Sequence, residues 1–184
     1  MKMIVQRTQV SVNTPFDLAE FKEFIRLEKD DDWDDVTLTK MGWEAVAEVE
    51  SFAQVALLSQ TIRLTIFDGV LGDGLSLPVG PMRDDAPLTV TLDGAASTDF
   101  DVVPGHRPYL SWSTSLRGAA FRRVVIEFEA GFGHEITDVP EDLGQAIIDQ
   151  VYTIYDGRAI DEVLSRRRSM QLARVAARYR GVSL

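Results

Sequence analysis

Residues 127–159 read EFEAGFGHEITDVPEDLGQAIIDQVYTIYDGRA, and the role of the two glycines in AGFG decides the fold. A β-branched run, RRVVIEFEA, stops at Gly131 and Gly133, and an amphipathic stretch opening at Pro140 follows. The glycines either cradle a phosphate or turn a sheet towards a helix. A phosphate cradle needs glycine amides aimed from an immediate helix N-terminus. Here five residues intervene, His134 to Asp138, so the stretch reads as a corner. Asp138 is the expected helix cap, with Pro140 in the first turn. Phe132, between the glycines, is expected as a core plug or an interface contact.

Downstream of the corner, Leu143, Ile147, Val151 and Ile154 form one stripe, widened by Ile148, Tyr152 and Tyr155. A face that broad belongs to a buried helix, and Gly157 stands where a left-handed C-cap would end it. A last helix is expected from about Ala159 to Arg178, carrying Ile160, Val163, Leu164 and Met170. Its Arg166-Arg167-Arg168 triplet covers most of the helix circumference, so at least one arginine must point towards other protein.

Upstream, TIRLTIF, LTVTL, FDVV and RRVVIEFEA alternate or run β-branched between Gly, Pro and Asp clusters. They predict a small, mainly antiparallel sheet over about 59–130. Pro87 and Pro104 flank strands, where proline is tolerated. Before the sheet, Leu18, Phe21, Phe24 and Ile25 share one helical face, in a helix starting near Pro15 and capped by Thr14 or Asn13. KDDDWDD then interrupts, and its carboxylates suit the N-terminus of a second helix from about Asp34 to Leu58. That helix carries Leu38, Met41, Ala45, Val49, Phe52 and Ala56, with Gly42 a mild weakness. The expected fold is α+β in one domain, 1–184. It is mainly an α-helical bundle, two N-terminal helices (about 15–58) and two C-terminal ones (about 140–178), around a small antiparallel β insertion.

Hydrophobic residues make up 45% of the 184, enough for a core. There is no Cys, which excludes disulfide frameworks, thiolate catalysis and Cys-ligated metals. The N-terminal stretch lacks the apolar run of a signal peptide, and no segment approaches a membrane span. A soluble protein made in a cytoplasm is expected. Charge is uneven: residues 1–157 hold 12 Lys/Arg against 27 Asp/Glu, net −15, and residues 158–184 hold seven Arg against two acids, net +5. An acidic body argues against general nucleic-acid binding by the body, and the basic tail suggests an acidic partner (another protein, nucleic acid or the acidic body of a neighbouring copy) or else a solvated helix end whose arginines suit the macrodipole.

The catalytic and metal signatures are weak. Asp30, Asp32 and Asp34 alternate as in an EF-hand loop, but Asp35 stands where its glycine belongs and Met41 where its bidentate Glu belongs. His106 and His134 are isolated, and no HExxH or GxSxG occurs. GVLGDG reverses the dinucleotide-loop spacing and no helix pattern follows it.

The order of motifs carries more. FEAGFG (128–133), a short spacer, VPEDLGQAI (139–147) and a helix ending in YDGRA (155–159) together resemble tailed-phage head–tail connector, or adaptor, proteins. The branch resembled is the one also found in gene transfer agents. FDLAEFKEFIRLEKDDDWDD (16–35) is similar to that family's opening helix and acidic turn, and SQT (59–61) to the start of its first strand. The resemblance covers roughly residues 14–160. It departs at ALLSQT, where the family often has a Thr-Gly pair, and the last helix does not match residue by residue.

The resemblance implies a non-enzymatic virion protein without cofactors, catalytic residues or metal sites. Such adaptors form a ring, twelvefold like the portal, below the portal of the DNA-filled capsid. They join it to a stopper or other tail-side protein and extend the channel through which DNA passes without sequence-specific binding. The implied location is the head–tail interface of a phage or gene transfer agent particle, assembled in the bacterial cytoplasm and away from membranes. The family's C-terminal segment engages the portal. By charge and position, the residues expected there are Arg158, Arg166, Arg167, Arg168, Arg174, Arg178, Tyr179 and Arg180. The alternatives are a nucleic-acid-binding protein using the Arg-rich tail, and a metal-dependent hydrolase using Asp30 to Asp35.

Overall fold

The computed structural model describes residues 2–28, 30, 32–160 and 168–180, and of 158–160 the backbone alone. Chain contacts divide it into two compact units, residues 1–12 with 58–134 and residues 13–57 with 135–184.

The first unit is all β. Its larger sheet has the order β1-β2-β8-β4-β5 and is antiparallel throughout, with β1 Lys2–Gln9, β2 Gln60–Val70, β4 Leu88–Leu92, β5 Ala95–Ser97 and β8 Ala120–Ala130. The smaller sheet runs β3-β7-β6, with β3 Gly74–Ser76, β6 Phe100–Val103 and β7 Tyr109–Trp112. Alternation places the core: Ile62, Leu64 and Ile66 of β2 lie opposite Phe128, Ile126 and Val124 of β8, all buried. The alternation of β8 slips between Phe121 and Val124. There Asp93, in a left-handed conformation at the β4–β5 turn, accepts the Arg122 and Arg123 amides on Oδ1 at 2.9 and 2.7 Å.

The AGFG segment is a corner. The Gly131 amide donates to Pro81 O at 2.9 Å, and Gly133 O accepts from Ser59 N at 2.7 Å. Gly131 has φ +140, and a Cβ there would fall 2.6 Å from Leu58 O, so both backbone shape and space demand glycine. Phe132 is half-buried, tilted against His106 with ring centroids 6.0 Å apart.

The second unit is helical: α1 Leu18–Phe24, α2 Asp35–Ala53, α3 Glu141–Ile160 and α4 Met170–Tyr179. α3 packs on each of the other three helices. Leu38, Met41, Ala45 and Val49 of α2, the expected Leu143–Ile147–Val151–Ile154 stripe of α3, and Leu172, Val175 and Ala176 of α4 are buried. Gly42 fits α2 beneath two aromatic rings, since a Cβ there would sit 2.8 Å from both Phe16 and Phe21. Those rings stack at 5.1 Å.

The expected mainly helical bundle with a small β insertion is corrected. The chain is α+β with 34% helix and 33% strand, so neither class is an insertion into the other. The N-terminal strand β1 was not anticipated. All eight of its residues are exposed, so it lacks the one-sided apolar alternation that marks a half-buried strand. Helix limits also shift. Asp17, not Thr14 or Asn13, caps α1, accepting from Ala19 N at 2.8 Å. α2 stops at Ala53, where Gln54 turns left-handed and Glu50 Oε1 takes the Leu57 amide at 2.9 Å. Asp138 caps a 3-10 turn, Ile136–Asp138, by accepting the Glu135 amide, and Pro140 O accepts the first α3 amides from Leu143 and Gly144. Gly157 lies inside α3 rather than at its end.

Candidate partner-binding surface

The C-terminal helix is where sequence reasoning put partner contacts, and it is fastened at both ends within the helical unit. At its start, the buried Gln150 of α3 accepts the Ser169 amide on Oε1 at 2.8 Å, and Ser169 Oγ accepts the Leu172 amide at 3.0 Å. At its end, Tyr179 Oη donates to Asp142 Oδ1 at 2.8 Å, and Arg178 reaches Asp142 Oδ2 at 3.1 Å. Burial raises the Tyr179 phenol to about 12, and the hydrogen bond and charge of Asp142 push the same way.

The expected contact residues therefore divide. The guanidiniums of Arg168 and Arg180 lie over the Phe52 ring of α2, 4.7 and 5.7 Å from its centroid. Arg178 and Tyr179 share Asp142. Arg174 points outward in the middle of α4, between Met170 and Arg178, and is exposed. Arg166, Arg167 and the side chain of Arg158 lie outside the described residues, as do the side chains of Ile160, Val163 and Leu164. Arg168 also acts on α2 electrostatically. Glu48, one turn before Phe52, has its carboxyl raised by burial and by Glu44, with Arg168 opposing; its Oε2 is buried without a hydrogen-bond partner.

Asp35, at the end of the acidic turn, meets the buried Lys22 of α1, with Nζ 2.6 Å from Oδ1. The approach lies off the line of a hydrogen bond, so the pair is held by charge. Asp34 is the α2 cap residue by position but makes no side-chain capping bond. Trp33, among these acids, is 90% exposed. No three His, Asp or Glu side chains converge as a metal site requires among the described residues, which exclude Asp31.

No family model and no curated protein matches the chain. Among solved structures it is similar to a chain of the neck of an empty gene transfer agent particle computed with C6 symmetry, with TM-score 0.78 and 24% identity over 98% of this chain and 97% of that one. It is similar to chains in two further structures, each at 23% identity with the same coverage of both chains. One is the virion of a native gene transfer agent particle, TM-score 0.75; the other is the neck of the native particle computed with C12 symmetry, TM-score 0.73. The fold is one found in gene transfer agent necks. It agrees with the resemblance carried by the 16–35 and 128–159 motifs, and it spans both units. What motif reasoning missed is a groove between α1 and the start of α3, because its residues come from two stretches far apart in the chain, 15–24 and 136–148. Its one legible trace is Phe24, counted into the core face of α1 but substantially exposed.

Proposed function

We propose that this protein is a structural head–tail connector. It forms a ring below the portal, joins the capsid to the tail side and extends the DNA channel. The observation that carries this reading is a fold likeness running over nearly the whole of both chains, to necks computed with sixfold and twelvefold symmetry. Support also comes from the ordered sequence motifs and from the charge layout. A wall of net negative charge lets DNA pass without sticking, whereas a basic wall would bind it. A structural role rather than catalysis is part of the same proposal, and the likeness to particle components supports it.

The portal is the proposed partner of the C-terminal segment, with a stopper or other tail-side protein on the opposite side of the ring. Since Arg168, Arg178, Tyr179 and Arg180 already hold α4 to its own unit, the preceding Arg158, Arg166 and Arg167 are the proposed portal contacts. Electron microscopy of purified particles from the source, with mass spectrometry of their proteins, tests the reading. A ring of this chain between portal and tail is expected; particles that lack the chain would overturn it.

A further inference from the structure

The helical unit carries two unlike surfaces on opposite sides of α3. At roughly 100° per residue, the α3 positions that face α4 (Asp142, Gln150) lie about 150° around the helix from those that line the groove (Glu141, Gly144, Gln145, Ile148). The groove holds about 520 Å³. Phe21, Phe24 and Ile148 give it apolar walls, and Glu20, Glu23 and Glu141 supply carboxylates. No Lys or Arg lines it among the described residues. The outer face of α4 is the converse. Met170 stands 85% exposed in its first turn, with Arg174 one turn on and Arg178 one turn further, and the helix has no acidic residue.

We propose that the groove is the docking site for a second copy of this chain, which inserts Met170 against the apolar wall and sets Arg174 among the carboxylates. The inference rests on the ring reading above and names its interface. Three observations select this occupant. The charges are complementary. The apolar knob and the apolar groove are both exposed. The two faces are different and lie on opposite sides of one rigid helix pair, which is what a head-to-tail contact needs to propagate from subunit to subunit rather than stop at a dimer. A methionine suits the knob, because its unbranched side chain adapts to an irregular aromatic wall.

The absence of Cys makes the test direct. The full chain carrying Gln145→Cys and Met170→Cys has two thiols on opposite sides of the α3–α4 pair, so disulfides form between copies. Oxidation at high protein concentration, or in particles carrying the variant, is expected to give a ladder of dimers, trimers and larger species. Each single variant should stop at dimer. Gly144→Phe fills the groove from a position where a Cβ meets nothing, so in the double-cysteine background it should abolish the ladder without lowering the melting temperature. Absence of the ladder both in solution and in particles, or disulfide capture of a different protein, would overturn the proposal. A ring seen in particles without the ladder would sink this interface and leave the connector reading intact. A ladder from a chain missing from particles would do the reverse.

Discussion

Lys22 is almost fully buried, and its ammonium pairs with Asp35. Breaking a buried pair from one side costs about 3–5 kcal/mol, but the Asp35 carboxyl is a third exposed, which moderates the loss. Asp35→Asn is expected to destabilise by about 2 kcal/mol, and Lys22→Met with Asp35→Asn to recover most of it; urea unfolding of both variants and the double checks this. The acids of KDDDWDD were read from sequence as helix-cap charge, and this one also steadies a buried lysine. Nothing local in the sequence marks Lys22 as buried, because its partner is supplied by the next helix.

Glu48 and Tyr179 titrate in ways that stability can report. The Glu48 carboxyl is raised by burial, so the folded state holds its proton more readily than the unfolded chain. The stability it contributes is full below its ordinary value of 4.5 and is lost as pH rises through the folded value. Glu48→Gln should therefore be more stable than the parent at pH 7, and the gap should close towards pH 4 in denaturant titrations. Tyr179 is also raised, to about 12, so its hydrogen bond to Asp142 contributes below pH 10 and is lost through about 12. In a spectrophotometric titration, Tyr179→Phe should remove the component near 12.

At the scale of elements, two helical glycines make opposite predictions from the same residue type. Gly144 lies in α3 with open space where a Cβ would go, so Gly144→Ala should stabilise by about 0.5–1 kcal/mol through helix propensity. Gly42 lies in α2 against the Phe16 and Phe21 rings, so Gly42→Ala should cost about 1–3 kcal/mol by overpacking. Thermal melts of the two variants should move in opposite directions. The sequence reading treated Gly42 as a propensity weakness, and Phe16, 26 residues away, is what makes it a requirement. The buried stripes of α2 and α3 were legible because one face repeats at helical spacing. β1 was not, because a strand exposed on both faces has no pattern to show.

For the whole molecule, α4 is at once part of the helical core and the proposed partner surface. Leu172, Val175 and Ala176 are buried, so removing residues 168–184 should cost on the order of 4 kcal/mol and expose apolar surface to dyes. Arg174→Glu, on the outer face, should leave the melting temperature within about 0.5 kcal/mol of equivalent stability while reducing joined particles in favour of separate heads and tails. Particle counts by electron microscopy separate the two variants, and a truncation alone would confuse folding with docking.

By itself the sequence determined the helix–sheet–helix order of the chain from residue 14 on, the corner at AGFG, the apolar stripes of α2 and α3, and the division between an acidic body and a basic tail. These are local patterns, of period 2 or 3.6 or of composition, and they survive without knowledge of distant residues. The tertiary structure alone decided that the N-terminus completes a five-stranded sheet, that Asp35 stabilises Lys22, and that Arg168, Arg178 and Arg180 find partners on α2 and α3. It also decided that two separated segments, 15–24 and 136–148, make one acidic groove. Each of these depends on groups far apart in the chain coming within a few ångströms, and a side chain's charge and spacing do not say which distant partner will meet it.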